Sequence, residues 1–228
     1  MKEVTNKLFT LGILVVFLSV LAGCKGKSEP EAVTPQEKVM LWNGEDFTGW
    51  KLFVADEKAD VDDIWSVKSG VVHCKGIPNG YMRTERKYAN YQLHVEWRWA
   101  GKPTNSGVLL HSSGPDKVWP RTIEAQLQAG NAGDFVLING TGITVDGEDK
   151  QNVEKQYVVI TKKAKSSEKT PGQWNTYDIV CKSDTIGVIV NGVLQNSGTK
   201  ATDTSGWICL QSEGSPIEFR NIYIKPMH

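Results

Sequence analysis

Net charge is the first thing this 228-residue sequence lacks: 26 Lys and Arg stand against 26 Asp and Glu, with no basic stripe. A protein that grips nucleic acid must neutralise phosphates, so no nucleic-acid partner is expected. Cysteine is scarce as well. Besides Cys24 there are Cys74, Cys181 and Cys209, an odd number without a CxxC pair. Three cysteines make neither a disulfide framework nor a zinc site of recognisable spacing, and small buried hydrophobes are the plainer role. Phosphate-binding loops and Ser-His-Asp contexts are absent. Acidic turns occur at Asp60, Asp62 and Asp63 and at residues 146–149. They lack EF-hand spacing and read as solvated turns, so no cofactor is expected, a divalent cation being the one alternative. Glycine and proline, 22 and 9, are scattered without period, which excludes collagen-like structure.

Long hydrophobic runs are missing except for one near the start. Lys2 and Lys7 precede an apolar run over residues 8–21, too short to cross a bilayer comfortably, and Ala22-Gly23-Cys24 follows at once. Leu21-Ala22-Gly23-Cys24 resembles the lipobox of bacterial lipoproteins, whose cysteine is lipidated after cleavage. The expected organisation is a signal peptide over 1–23, a polar tether over 24–38 and one domain over 39–228, with membrane contact through the lipid anchor only. No acidic cluster follows Cys24, so the expected location is the cell envelope, at the outer membrane facing the periplasm.

What the sequence does have is strands. Helical periodicity is absent beyond the leader, whereas short apolar or alternating runs recur between Gly, Asn, Asp and Pro. The clearest fall at 71–73, 91–99, 107–111, 122–128, 135–138, 157–161, 176–181, 185–190, 193–195, 206–211 and 217–224. Asn191-Gly192 between two apolar runs signals a type I′ hairpin, which needs positive φ at both positions. So many strands do not form one open sheet, and two sheets packed face to face are expected, a jelly-roll β-sandwich. Eight Trp supply large plates for a core or for stacking on a ligand.

Strand alternation separates two faces. Tyr91, Leu93, Val95, Trp97 and Trp99 share one parity, and Gln92, His94, Glu96 and Arg98 the other. Thr122, Glu124, Gln126 and Gln128 oppose Ile123, Ala125 and Leu127; Glu218 and Arg220 alternate with Ile217 and Phe219. Asn105 and His111 share a parity with Gly107 and Leu109. These residues are read as one polar face over four or five strands. A solvated outer face is the bland explanation. Carboxamides and guanidinium groups, however, make planar, bidentate hydrogen bonds, which suits sugar hydroxyls.

The run Leu41-Trp42-Asn43-Gly44-Glu45-Asp46-Phe47-Thr48-Gly49-Trp50 resembles the opening motif of the 3-keto-disaccharide hydrolase family. Ile64-Trp65-Ser66-Val67, Glu96-Trp97-Arg98, Asn105-Ser106-Gly107, Glu124-Ala125-Gln126, Trp174-Asn175, Asn191-Gly192, the run 206–211 and Phe219-Arg220-Asn221-Ile222 follow in the family's order. The resemblance covers residues 39–226 and implies a concanavalin A-like sandwich. It also implies cleavage of glycosides already oxidised to a ketone at C3. The ketone acidifies the hydrogen at C2; a base removes it, an enediolate forms and the C1 substituent leaves by β-elimination, with or without later rehydration. Such a reaction needs a base, an oxyanion donor and an acid, and an upstream sugar 3-dehydrogenase must supply its oxidised saccharide. The strand Glu124-Ala125-Gln126-Leu127-Gln128 carries amides where related glucanases have two further carboxylates in E-x-D-x-E, which disfavours ordinary retaining hydrolysis.

On matched positions the candidate catalytic residues are Glu124 first, then Glu96, with His111 and Glu213 as departures from the family pattern. His111 stands where relatives carry Arg, and Glu213 where they carry His. Candidates to hold substrate are Arg98, Asn105, Gln126, Gln211, Arg220 and Trp119, the last in a loop ahead of the Glu124 strand. Cross-strand ion pairing is the competing role for Glu96–Arg98 and Glu218–Arg220. Two other functions stay open: a non-catalytic carbohydrate-binding module and a scaffold lipoprotein.

Overall fold

The structure, a computed structural model, describes residues 31–153 and 155–227. The leader and Cys24 lie outside the described residues. The elements are β1 (Val39–Met40), β2 (Trp50–Val54), α1 (Val61–Ile64), β3 (Trp65–Lys68), β4 (Val71–Cys74), β5 (Gly80–Thr84), β6 (Tyr91–Trp99), β7 (Gly107–Ser113), β8 (Arg121–Gln126), β9 (Phe135–Ile138), β10 (Gly142–Val145), β11 (Glu148–Gln151), β12 (Tyr157–Ile160), β13 (Asn175–Lys182), β14 (Thr185–Val190), β15 (Val193–Gly198), β16 (Trp207–Ser212) and β17 (Ile217–Pro226). All the strands expected from alternation are present, and β1, β2, β3, β5, β10 and β11 add to them.

Two antiparallel sheets make the jelly-roll sandwich. The first runs β15-β14-β13-β6-β17-β4-β3, with β1 also on β17, and the second runs β12-β9-β8-β7-β16-β5-β2. Their inner faces hold Tyr91, Leu93, Val95 and Trp97 of β6, Tyr177 and Ile179 of β13 and Phe219 of β17. Against these pack Val108 and Leu110 of β7, Ile123 and Ala125 of β8 and Phe135 and Leu137 of β9. Alternation on β6 is strict, buried and half-buried by turns, because one face meets the other sheet. Five of the eight Trp, at 42, 50, 65, 97 and 99, are buried in this core. Asn191 and Gly192 have φ of 49° and 81°, the pair of positive values a type I′ hairpin needs. Val33, within the segment expected as a tether, is tied to the domain: its amide donates to the Lys87 carbonyl at 2.8 Å, and the Ala89 amide to the Val33 carbonyl at 3.1 Å.

The single polar face expected from alternation is in fact two faces on opposite sides of the molecule. β6 and β17 pair in the first sheet, so Glu96, Arg98, Glu218 and Arg220 stand on its outer surface. β8 pairs with β7 and β9 in the second sheet, so Glu124 and Gln126 stand on the other outer surface. Parity along a strand fixes inside against outside; it carries no information on which sheet the strand joins.

Candidate active site

On the outer face of the second sheet, β8 sets Glu124 between Val136 of β9 and Leu109 of β7. Both neighbours are apolar and buried. The carboxyl leans over Gly107, where an added Cβ would lie 2.1 Å from Glu124 Oε1. A glycine is required there by this close approach. Glu124 is only 3% exposed, and Oε1 has no hydrogen-bond partner among the described residues. Burial pushes its pKa well above the ordinary carboxylate range, and the nearby Glu213 carboxylate pushes it further.

Glu213 follows β16 and bridges to Asn105 on the segment leading into β7. It is half-buried, and its pKa is raised by burial while a hydrogen bond from the Asn105 side chain acts the other way. Glu124, Glu213, Asn105, Gln126, Gln128 and Trp119 line one cavity of about 230 Å³, together with Val136, Ile138, Gln156, Tyr157 and Val159. The Gln126 carboxamide oxygen accepts from the Leu127 and Gln128 amides, both at 2.9 Å, which ends β8 and leaves its –NH₂ group as the donor. Asn105 Oδ1 and Gln211 Oε1 are buried without partners, like Glu124 Oε1. An unmet buried polar atom costs about 1–3 kcal/mol, and the two at the cavity, Glu124 Oε1 and Asn105 Oδ1, are acceptors a ligand can complete. Gln211 lies two strands from Glu124 on the same sheet, outside the cavity lining.

Trp119 is carried by a loop pinned at both ends. Asp116 accepts from Lys51 Nζ at 2.6 Å, Arg83 Nε at 2.8 Å and the Tyr81 hydroxyl at 3.1 Å, while Asn139 Nδ2 donates to the Trp119 carbonyl. Partial burial raises the Asp116 pKa, but the hydrogen bonds and charges of Arg83 and Lys51 outweigh it and hold the carboxyl at about 2. Asp116→Ala is expected to lower stability by about 1–3 kcal/mol at neutral pH. Because the folded pKa lies below the ordinary 3.8, this contribution is complete above about pH 4 and is lost as pH falls through 2. Denaturant melts of both proteins at pH 6 and pH 2 check this, the gap closing in acid.

The remaining sequence candidates are elsewhere. Glu96 accepts from Arg220 Nε at 2.6 Å and Asn221 Nδ2 at 2.7 Å, and Glu218 is held by Arg98 and by His73 Nδ1 at 3.0 Å. Burial raises the Glu96 pKa, but Asn221, Arg220 and His94 together bring it below the usual range. Both guanidinium groups stack on Trp174, at 4.6 Å for Arg98 and 4.0 Å for Arg220. Glu96, Arg98 and Arg220 therefore form an ion-paired ladder across the sandwich from the cavity. His111 does not share the face of Leu109. A bulge between Leu110 and Ser113 gives it φ of 53° and turns its ring inward, edge-on to Tyr91 at 5.7 Å. Burial lowers its pKa, and Nδ1 is engaged by the Asp203 carbonyl at 2.9 Å. Val136, Ile138, Tyr157 and Val159 were not among the sequence candidates, since apolar residues at strand periodicity carry no sign of a ligand.

The model of the 3-keto-alpha-glucoside-1,2-lyase-like domain matches residues 37–225. The chain belongs to that family. The family match spans both sheets and every residue of the cavity. Among solved structures, the chain is similar to a candidate glycosyl hydrolase from Parabacteroides distasonis, at 25% identity over 84% of this chain and 94% of that one, with a TM-score of 0.60. The carbohydrate-binding module CBM66 from Bacillus subtilis shares the fold at 9% identity over 78% and 95%, TM-score 0.55. A Bacillus licheniformis β-glucanase does so at 13% identity over 83% and 97%, TM-score 0.53. No curated protein matches the chain. One fold thus serves hydrolases and binders alike, and the cavity has to separate them.

Proposed function

We propose that this protein cleaves 3-keto-glycosides by proton abstraction at C2 and β-elimination at C1, with Glu213 as base and Glu124 as acid. One observation carries the reading: two carboxyl groups share a cavity but differ in burial. Environments that push two titratable groups apart assign their roles. Glu124, fully buried beside another carboxylate, keeps its proton; Glu213, more open and bonded by Asn105, is the group that ionises.

Glu213 takes the C2 proton and the electron pair moves onto the C3 oxygen, where the Gln126 –NH₂ group steadies the charge. The pair then returns to form the C1–C2 double bond and the C1–O bond breaks. Glu124 supplies the proton to the leaving oxygen, so the products are an unsaturated 3-keto sugar and an alcohol. Water adding across the double bond, with its oxygen at C1 and a proton at C2, gives the free 3-keto sugar. A class of enzyme that oxidises the C3 hydroxyl must act upstream. The leader motif supports placing the reaction in the cell envelope, on a lipid anchor at Cys24.

The carboxyl pair also favours a second reading, direct hydrolysis of unoxidised glycosides through the same two groups. Incubating the protein in D₂O with a 3-keto-disaccharide and, separately, with its unoxidised parent separates the two by NMR. Cleavage of the keto form alone is expected, with the C2 hydrogen lost in the unsaturated product and deuterium at C2 in any rehydrated product or recovered substrate. Cleavage of the parent would overturn the elimination route, and saturable binding without cleavage of either would assign a binding module. Gly107→Ala is expected to displace the Glu124 carboxyl and cut turnover about 100-fold, the scale of a 1 Å misplacement, while the protein still folds. Kinetics together with a thermal melt check it.

A further inference from the structure

Polar and apolar groups are segregated about Glu124. Gln126, Asn105 and Glu213 stand on one side. On the other, the sheet runs to its edge strand through apolar side chains, with Gln156 the one polar cavity residue ahead of them on that side. Val136 is the cross-strand partner of Glu124, Val159 pairs with Val136, and Tyr157 pairs with Ile138. All four line the cavity, beside Trp119 from the pinned loop. Tyr157 is 56% exposed and Val159 48%, although they sit on an edge strand, where uncovered apolar side chains invite aggregation. Their partners on the same strand, Val158 and Ile160, pack inward, so Tyr157 and Val159 are surplus to the core.

Resting on the elimination reading above, we infer that the leaving-group side of this site takes an apolar aglycone, aryl or arylalkyl, in preference to a second sugar. The sugar ring needs the donors and acceptors of the polar side. Its C1 oxygen then falls at Glu124, on the boundary, and whatever that oxygen carries is directed over Val136, Ile138, Val159 and Tyr157. A second sugar would set hydroxyls against this strip, where the protein offers them few partners and water must supply the rest, whereas an aromatic ring gains burial there and stacks on Tyr157 or Trp119. The cavity, at about 230 Å³, is below the ~300–1,000 Å³ of drug-sized sites, so a sugar ring fills its polar end and the aglycone extends along its apolar wall onto the exposed edge at Tyr157 and Val159.

The test compares the 3-keto-glucosides of 2-phenylethanol and of ethanol, whose alcohols are similar as leaving groups, with a 3-keto-disaccharide. The 2-phenylethyl compound is expected to exceed the ethyl one about tenfold in kcat/KM, and the disaccharide to fall below it. The double variant Tyr157→Ser, Val159→Ser is expected to bring the 2-phenylethyl to ethyl ratio towards one. A wild-type ratio near one, or a faster disaccharide, overturns the inference. If none of the three is cleaved, the elimination reading falls, and the ratio of dissociation constants for the same uncleaved pair decides the aglycone inference by calorimetry. Dimerisation in sedimentation that Tyr157→Ser abolishes, with a ratio near one, would assign the strip to a second copy of this chain.

Discussion

Glu213→Gln is expected to cut turnover of a 3-keto-glycoside about 1,000-fold and to stop hydrogen exchange at C2, within the 100- to 10,000-fold range of a lost general base. The half-buried side chain is replaced by one of equal size, so the melting temperature should change little. In the wild type, activity rises as pH passes the raised pKa of Glu213 and falls again where Glu124 loses its proton. The two groups interact, so the limbs of this bell belong to the pair. In the variant the acid limb should vanish from any residual rate. The alkaline limb should move to lower pH, because the charge that helped hold the proton on Glu124 is gone. Persistent C2 exchange in Glu213→Gln would remove Glu213 from the role of base.

For Glu124→Gln the expectation is a loss of about 1,000-fold in turnover combined with a gain in stability. The amide donates a hydrogen bond in place of the carboxyl but cannot deliver a proton. The loss should therefore shrink for a phenolic leaving group, which departs without protonation. Stability follows from the raised pKa. The unfolded chain releases the Glu124 proton near 4.5 and the folded one holds it to higher pH, so the stabilising contribution is complete below about pH 4.5. It is lost as pH rises through the folded pKa. Gln does not titrate, so the variant should gain on the wild type as pH rises. Thermal melts at pH 4 and pH 9 check the sign, and a gap independent of pH would mean that Glu124 is not the proton holder. Such a trade between stability and activity is what a buried, unpaired carboxyl at a reacting centre entails.

Glu124 was legible in the sequence because it sits in a strand of strict alternation within the motif Glu124-Ala125-Gln126. Its partner was legible only as an anomaly, Glu213 replacing a histidine. That the two meet depends on the bridge between Asn105 and Glu213 and on the bare backbone of Gly107, contacts between segments far apart in the chain. Glu96 has the same local pattern and the same carboxyl chemistry as Glu124, yet with Arg98 and Arg220 it faces away from the cavity. Nothing local distinguishes them, since the period of two is a property of one strand.

By itself, then, the amino-acid order determined the strands, their buried parity, the hairpin at Asn191-Gly192 and the family. These follow from short-range rules, side-chain alternation and turn chemistry, together with an ordered set of motifs. The tertiary structure alone decided which polar residues share a surface, because sheet membership is set by long-range pairing. It alone turned His111 inward, through a bulge of one strand against its neighbour. And it alone placed an exposed apolar edge beside a buried carboxyl, since neither burial nor the pKa it shifts exists until the two sheets have closed.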